Sequence, residues 1–192
     1  MELFGDKIEL KWKLVNNVPV GYGYGIGNKY IVVGRFICGE IWGDLHLFCR
    51  LTGKRIMRSQ FEASIPHGEY TWYHEDMTET GLYKDGKKHF VCKKLGTRVL
   101  EYGFCKNDMY NGYATVLVDG KTYTSPFWKN GIIDGLGCIE DKDGNIEFYG
   151  FFNMGIPQYE CFDVHPMMLM KYKKAMSDPF LIHAVKCVES IF

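Results

Sequence analysis

Gly112-Tyr-Ala-Thr-Val-Leu-Val-Asp-Gly-Lys-Thr-Tyr123, then Trp128-Lys-Asn-Gly131-Ile-Ile-Asp-Gly135-Leu-Gly137, then Asp143-Gly144-Asn-Ile-Glu-Phe148-Tyr-Gly150-Phe-Phe152-Asn-Met-Gly155, hold the pattern on which the fold turns. Asp119-Gly120 separates two runs rich in β-branched residues, Ala114–Val118 and Thr122–Thr124. A tight type I′ hairpin needs positive φ at both central residues, which Asp-Gly supplies, so this stretch reads as strand, turn, strand. Working outward, one anchor recurs as small-x-aromatic-x-x-small: Gly34-x-Phe36-x-x-Gly39, Gly81-x-Tyr83-x-x-Gly86 and Gly150-x-Phe152-x-x-Gly155. Weaker copies stand at Trp12, at Phe61 with Ser59 and Ser64, at Phe104 with Asn107, and at Trp128 with Gly131. These aromatics follow one another at intervals of 21 to 25 residues, the signature of one supersecondary unit repeated along the chain. Gly43, Gly68, Gly112 and Gly135, and the turns at Thr52-Gly53, Asp119-Gly120 and Asp143-Gly144, recur in step with the anchors. The expectation is a hairpin at each Asp-Gly end, a glycine where the chain crosses to the next hairpin, and each anchor aromatic packed on that of its neighbour.

The composition agrees. Aromatic residues make up 16% of 192 residues and glycines number 22, which favours sheet over helical bundle. Lys plus Arg and Asp plus Glu are 23 each, so no net field draws the chain to nucleic acid or to an anionic membrane, and no nucleic-acid partner is expected. The cysteines are Cys38, Cys49, Cys92, Cys105, Cys138, Cys161 and Cys187, an odd number with no C-x-x-C pair. They read as reduced thiols of an intracellular, cytoplasmic protein, with Cys38 and Cys105 as small core hydrophobes. The segment Met1–Lys13 lacks the apolar run of a secretory signal, and no stretch reaches the ~20 apolar residues of a membrane span.

The stretch from Gly112 to Gly155 resembles MORN repeats, whose pattern is Y-x-G-x-W-x-x-G-x-x-x-G-x-G followed by a D-G turn. The resemblance runs from about Lys11 to Pro157, closest in the last three units. It departs at Tyr123-Thr-Ser-Pro-Phe-Trp128, with an extra residue, and at the charged stretch Tyr73–Thr80, where the family has a short turn. It implies an all-β fold: an elongated antiparallel sheet or solenoid of about seven hairpin repeats. It also implies a groove of aromatics that binds partner peptides, in a non-enzymatic scaffold or structural subunit of a larger assembly, cytoskeletal or virion among them. The groove residues expected to meet a partner protein are Tyr22, Tyr24, Trp42, Tyr70, Trp72, Tyr110 and Tyr113, large side chains that lose little entropy on ordering.

Beyond Pro157 the composition shifts. Met167 to Met176, between Pro166 and Pro179, reads as a helix, and Phe180, Ala184, Val188 and Ile191 follow at helical spacing after Asp178-Pro179. The organisation expected is a repeat domain over 1–158 and a helical cap over 159–192 closing the sheet's open end. A weaker alternative docks the Met run, with Lys171, Lys173 and Lys174, on a membrane surface, making the chain a peripheral adaptor.

One segment invites chemistry. Pro66-His67-Gly68-Glu69-Tyr70-Thr71-Trp72-Tyr73-His74-Glu75-Asp76 carries histidines and acids that could ligate a metal or transfer protons, the basis of an alternative reading as enzyme or ligand-binding protein. On a strand they do not share one face, and no metal or cofactor is expected. Gly21-Tyr-Gly-Tyr-Gly-Ile-Gly27 matches neither G-x-G-x-x-G nor a Walker loop and reads as a turn between units. Lys11-Trp12-Lys13 and Trp128-Lys129 evoke single-strand binding, but their tryptophans are repeat anchors, hence core.

Overall fold

The computed structural model describes residues 2–3, 5–96 and 100–161, and every regular element among them is a β-strand. They fall into two compact units, the described part of residues 1–89 with 94–97 and the described part of residues 90–93 with 98–192. In the first unit β1 (Glu2–Leu3) and β2 (Asp6–Lys7) make a small ladder of their own. The sheet then runs in chain order through β3 (Glu9–Val15), β4 (Val18–Ile26) and β5 (Tyr30–Ile37), which carries the short β6 (Glu40–Ile41). It continues through β7 (Gly43–Cys49), β8 (Arg55–Glu62), β9 (Ile65–Tyr73) and β10 (Met77–Lys84). Strand β11 (Lys87–Gly96) contributes residues to both units. The second unit follows with β12 (Leu100–Lys106), β13 (Met109–Val118), β14 (Lys121–Lys129) and its short companion β15 (Ile132–Ile133). Next come β16 (Gly135–Glu140), β17 (Ile146–Asn153) and β18 (Ile156–Glu160). Neighbouring strands such as β4 and β5, β8 and β9, β12 and β13, and β16 and β17 pair antiparallel, as short hairpin links require.

The repeat is written in the turns. Asn16-Asn17, Cys38-Gly39, Ala63-Ser64, Asp85-Gly86, Asn107-Asp108, Asn130-Gly131 and Met154-Gly155 all have both residues at positive φ, and they recur every 22 to 25 residues. This is the type I′ signature whose twist matches that of the flanking strands. The expectation of one tight turn per unit is corrected: Asp119-Gly120, with φ of 51° and 77°, turns the chain at the opposite end, so hairpins close both ends. Ala63, like Cys38 and Met154, is a costly member, since a Cβ at φ 47° (50° and 48° for the other two) crowds the carbonyl and the tertiary structure must hold it there. Its neighbour Ser64 is fastened to Ile41, accepting that residue's N–H at 3.0 Å and donating its own to the Ile41 carbonyl at 2.9 Å.

The anchor acquires a steric meaning. Gly23 pairs with Gly34, Leu45 with Ser59, Ser59 with Tyr70, and Tyr70 with Gly81. In the second unit Gly103 pairs with Ala114, Ala114 with Ser125, and Gly137 with Gly150. Small residues in this row make room for the aromatics. A Cβ on Gly23 would lie 2.5 Å from the Trp12 ring, and one on Gly137 2.9 Å from Phe152. Phe36 meets Trp12 edge-on at 4.6 Å and is 1% exposed, in a core with Val32, Leu45, Met57 and Phe61. The second unit's core gathers Trp128, Ile133, Ile139 and Phe152, and the Trp128 indole donates to the Ala114 carbonyl at 3.0 Å. Burying side chains of this size supplies ~2–3 kcal/mol each against leaving them exposed.

Several expectations need correcting. Gly21–Gly27 is not a turn, because Val18–Ile26 is strand and Gly23 lies against the Trp12 ring. Phe104 is only half-buried, since a bulge between Gly103 and Cys105 turns Cys105 inward in its place. Cys38 is exposed in a hairpin turn rather than in the core. Cys92 and Cys105 are joined as a disulfide with Cα atoms 6.2 Å apart, so the cysteines are not all reduced thiols. Strand pairing brings the two together, and linear spacing does not reveal it. The charged stretch after Tyr73 is a short link after all: β10 begins at Met77, and the His74 N–H closes on the Met77 carbonyl at 2.8 Å. The extra residue of Tyr123–Trp128 is absorbed as a bulge, with Gly112 opposite Trp128 but Ala114 opposite Ser125. The helices expected over 167–176 and after Pro179 lie outside the described residues, while Tyr159 and Glu160 belong to β18. Among the described residues no helix is long and apolar enough to cross a membrane.

Candidate functional site

Alternation along a strand puts one set of side chains in the core and the next on the opposite face. On β5 Val32, Gly34 and Phe36 are buried, so Val33, Arg35 and Ile37 point the other way and are exposed. The register carries this face across the first unit: Tyr22 lies opposite Arg35, Lys11 opposite Tyr24, Tyr24 opposite Val33, Val33 opposite His46, and His46 opposite Arg58. Tyr22 is 80% exposed, Tyr24 46% and Val33 38%. The Arg35 guanidinium lies 6.0 Å from the Tyr22 ring centroid and that of Arg55 5.8 Å from Phe48, within cation–π range. Arg58 forms an ion pair with Asp44 at 3.2 Å and reaches Glu69 at 3.9 Å, and Lys11 pairs with Glu9. Burial, and then the Arg55 charge, push the His46 imidazole below its usual value, so it is neutral at pH 7. The face thus presents flat aromatic and aliphatic surface among cations, suited to holding a chain laid across it.

The structure treats the expected partner-binding residues unequally. Tyr22 and Tyr24 are exposed. Trp42 is half-buried, its backbone N–H held by the Arg35 carbonyl at 3.0 Å, and Trp72 is half-buried against the first core. Tyr70 is buried: its hydroxyl donates to Glu79 at 2.9 Å, its ring lies 4.3 Å from that of Tyr83, and Glu79 is paired with Lys88. Tyr110 is half-buried, donating to Glu101 at 3.2 Å with its ring against Trp128. Tyr113 is buried, and burial pushes its phenol well above the usual range. Tyr70 and Tyr113 are therefore core residues with no surface to offer. Arg35, Arg55, Val33 and Phe48 were not foreseen as site residues. The signal for the β5 pair was Phe36 itself, because once it is inward Val33 and Arg35 must be outward.

The polar segment does not assemble. His67 stands near the start of β9, 3.6 Å from Asp85, whereas His74, Glu75 and Asp76 follow its far end. At ~3.3 Å per residue the two histidines are roughly 23 Å apart. Among the described residues no group of three His, Cys, Asp or Glu could hold a metal ion. No protein-family model matches the chain, and no curated protein matches it.

Proposed function

We propose that this chain is a non-enzymatic scaffold of MORN-like hairpin units that binds a segment of a partner protein on the outer face of its first unit, as a component of a larger assembly. The observation that carries the reading is Tyr22, 80% exposed beside Tyr24, Val33 and Arg35 on strands whose core is satisfied on the other side. An exposed tyrosine pair adds nothing to folding, while desolvating large, stiff aromatics is the usual source of binding energy at a protein interface. The turn period of 22 to 25 residues supports the repeat reading. The test is purification of the tagged protein from its native source at gentle salt, wild type against Tyr22→Ala with Tyr24→Ala. A stoichiometric protein retained by the wild type and lost by a variant of unchanged circular dichroism and melting upholds the reading. Equal recovery with both overturns it.

A further inference from the structure

The face described above has a charge pattern that selects among polypeptide partners. Among the described residues, the cations Arg58 and Lys11 are matched by Asp44, Glu69 and Glu9, but Arg35 and Arg55 have no carboxylate within ion-pair distance. Each instead lies near an aromatic ring, Arg35 at Tyr22 and Arg55 at Phe48, which fixes the guanidinium while leaving its donors unspent. We infer that the docked segment is acidic and extended, with one carboxylate on Arg35, a second on Arg55, and apolar side chains between them over Val33 and His46, which lie on the path from one arginine to the other. This rests on the proposed function and names the chemistry of its partner.

The register sets the spacing of the two acids. Arg55 lies opposite Phe48, which lies opposite Ile31, four residues along β5 from Arg35 and two strands across from it. With ~3.3 Å per residue along a strand and ~4.8 Å between strands, the Cα atoms of the two arginines are roughly 16 Å apart, about five residues of extended chain. Bidentate guanidinium–carboxylate pairs give such a site orientation as well as attraction. A nucleic-acid strand is disfavoured on this face. Its phosphates follow one another without gaps and would run against Asp44, Glu69 and Glu9, whereas a polypeptide with spaced carboxylates passes between them.

The experiment is selection of a phage-displayed library of random dodecapeptides on the intact protein. Fluorescence anisotropy then follows the enriched peptides, and a labelled oligothymidylate serves as a second probe. The inference predicts enrichment of peptides with two Asp or Glu about five residues apart around an apolar centre. It also predicts that Arg35→Glu with Arg55→Glu weakens them at least about tenfold, that added salt weakens them, and that Arg35→Lys with Arg55→Lys loses less. Peptides without acidic bias that are lost on Tyr22→Ala overturn the acidic partner and leave the docking face standing. Failure to enrich any peptide, or peptides indifferent to Tyr22→Ala, overturns both. Binding of the oligothymidylate that the same arginine substitutions abolish overturns the polypeptide in favour of nucleic acid.

Discussion

In the first unit the strand positions that alternate with the core carry Tyr22, Tyr24, Val33 and Arg35, and they are exposed. In the second unit the positions that alternate with Gly103, Ala114, Ser125 and Gly137 carry Tyr102, Tyr113, Thr115, Thr124 and Cys138, and they are buried. The same hairpin geometry thus supports two uses of a second face. Thr115 and Thr124 spend their hydroxyls on each other at 3.1 Å, with Tyr113 at 3.5 Å from Thr115, so that face is internally satisfied. The first unit's face leaves Tyr22, Arg35 and Arg55 exposed. Interior hydrogen bonds favour a single packing, and unspent ones on a surface favour recognition.

The largest effect that would break the comparison lies on the first unit. Phe36→Ala, at 1% exposure, is expected to lower unfolding free energy by about 3–5 kcal/mol, and Tyr22→Ala, on the same sheet, to change it by less than about 0.5 kcal/mol. Urea titration of both variants reads the difference, and comparable losses would mean that the outer face is structural. Next comes the second unit's satisfied face. Thr115→Val leaves the Thr124 hydroxyl with a lost partner at a cost of about 1–3 kcal/mol, while Thr115→Val with Thr124→Val costs less than the two single changes added. A double-mutant cycle that came out additive would remove the hydrogen bond from the account.

The last effect appears only in acid and contrasts two carboxylates. Asp6 accepts the backbone N–H groups of Lys29, Asn28 and Tyr30, at 2.8, 3.1 and 3.2 Å, and these bonds, Lys29 first, hold it below the usual carboxylate range against the opposing effect of burial. Asp141 is lowered as well, but by the Asn145 side chain and backbone of its own turn. A depressed folded value means that the contribution is complete above the unfolded value, near 4, and is lost as pH falls through the folded one. Melting midpoints should therefore drop on acidification below about pH 4 less steeply in Asp6→Asn than in the wild type. An unchanged slope would show that Asp6 does not fasten the link between β4 and β5.

Much of this architecture was readable in the chain. Phe36, Phe61, Trp128 and Phe152 are core residues as their period implied, and the extra residue near Trp128 is a real bulge. Asn16-Asn17, Ala63-Ser64 and Asn107-Asp108 were harder to see as turns, because without glycine their positive φ is imposed by the strands they join. The candidate face was half legible: Tyr22 and Tyr24 stood out as aromatics among glycines, but Tyr70 and Tyr113 looked the same in sequence and are buried. A tyrosine's destination depends on the parity of its position relative to the core row and on whether a partner such as Glu79 meets its hydroxyl.

What the sequence alone determined is the unit: period, aromatic anchors, small residues beneath them and the turns that carry glycine, all consequences of local backbone freedom and of side-chain size. What only the tertiary structure decided is which strand lies against which and in what register. Register sets Arg35 beside Tyr22, Arg55 beside Phe48 and Cys92 against Cys105. Such pairings depend on a slip of one residue, which reverses every face of a strand while leaving its composition unchanged.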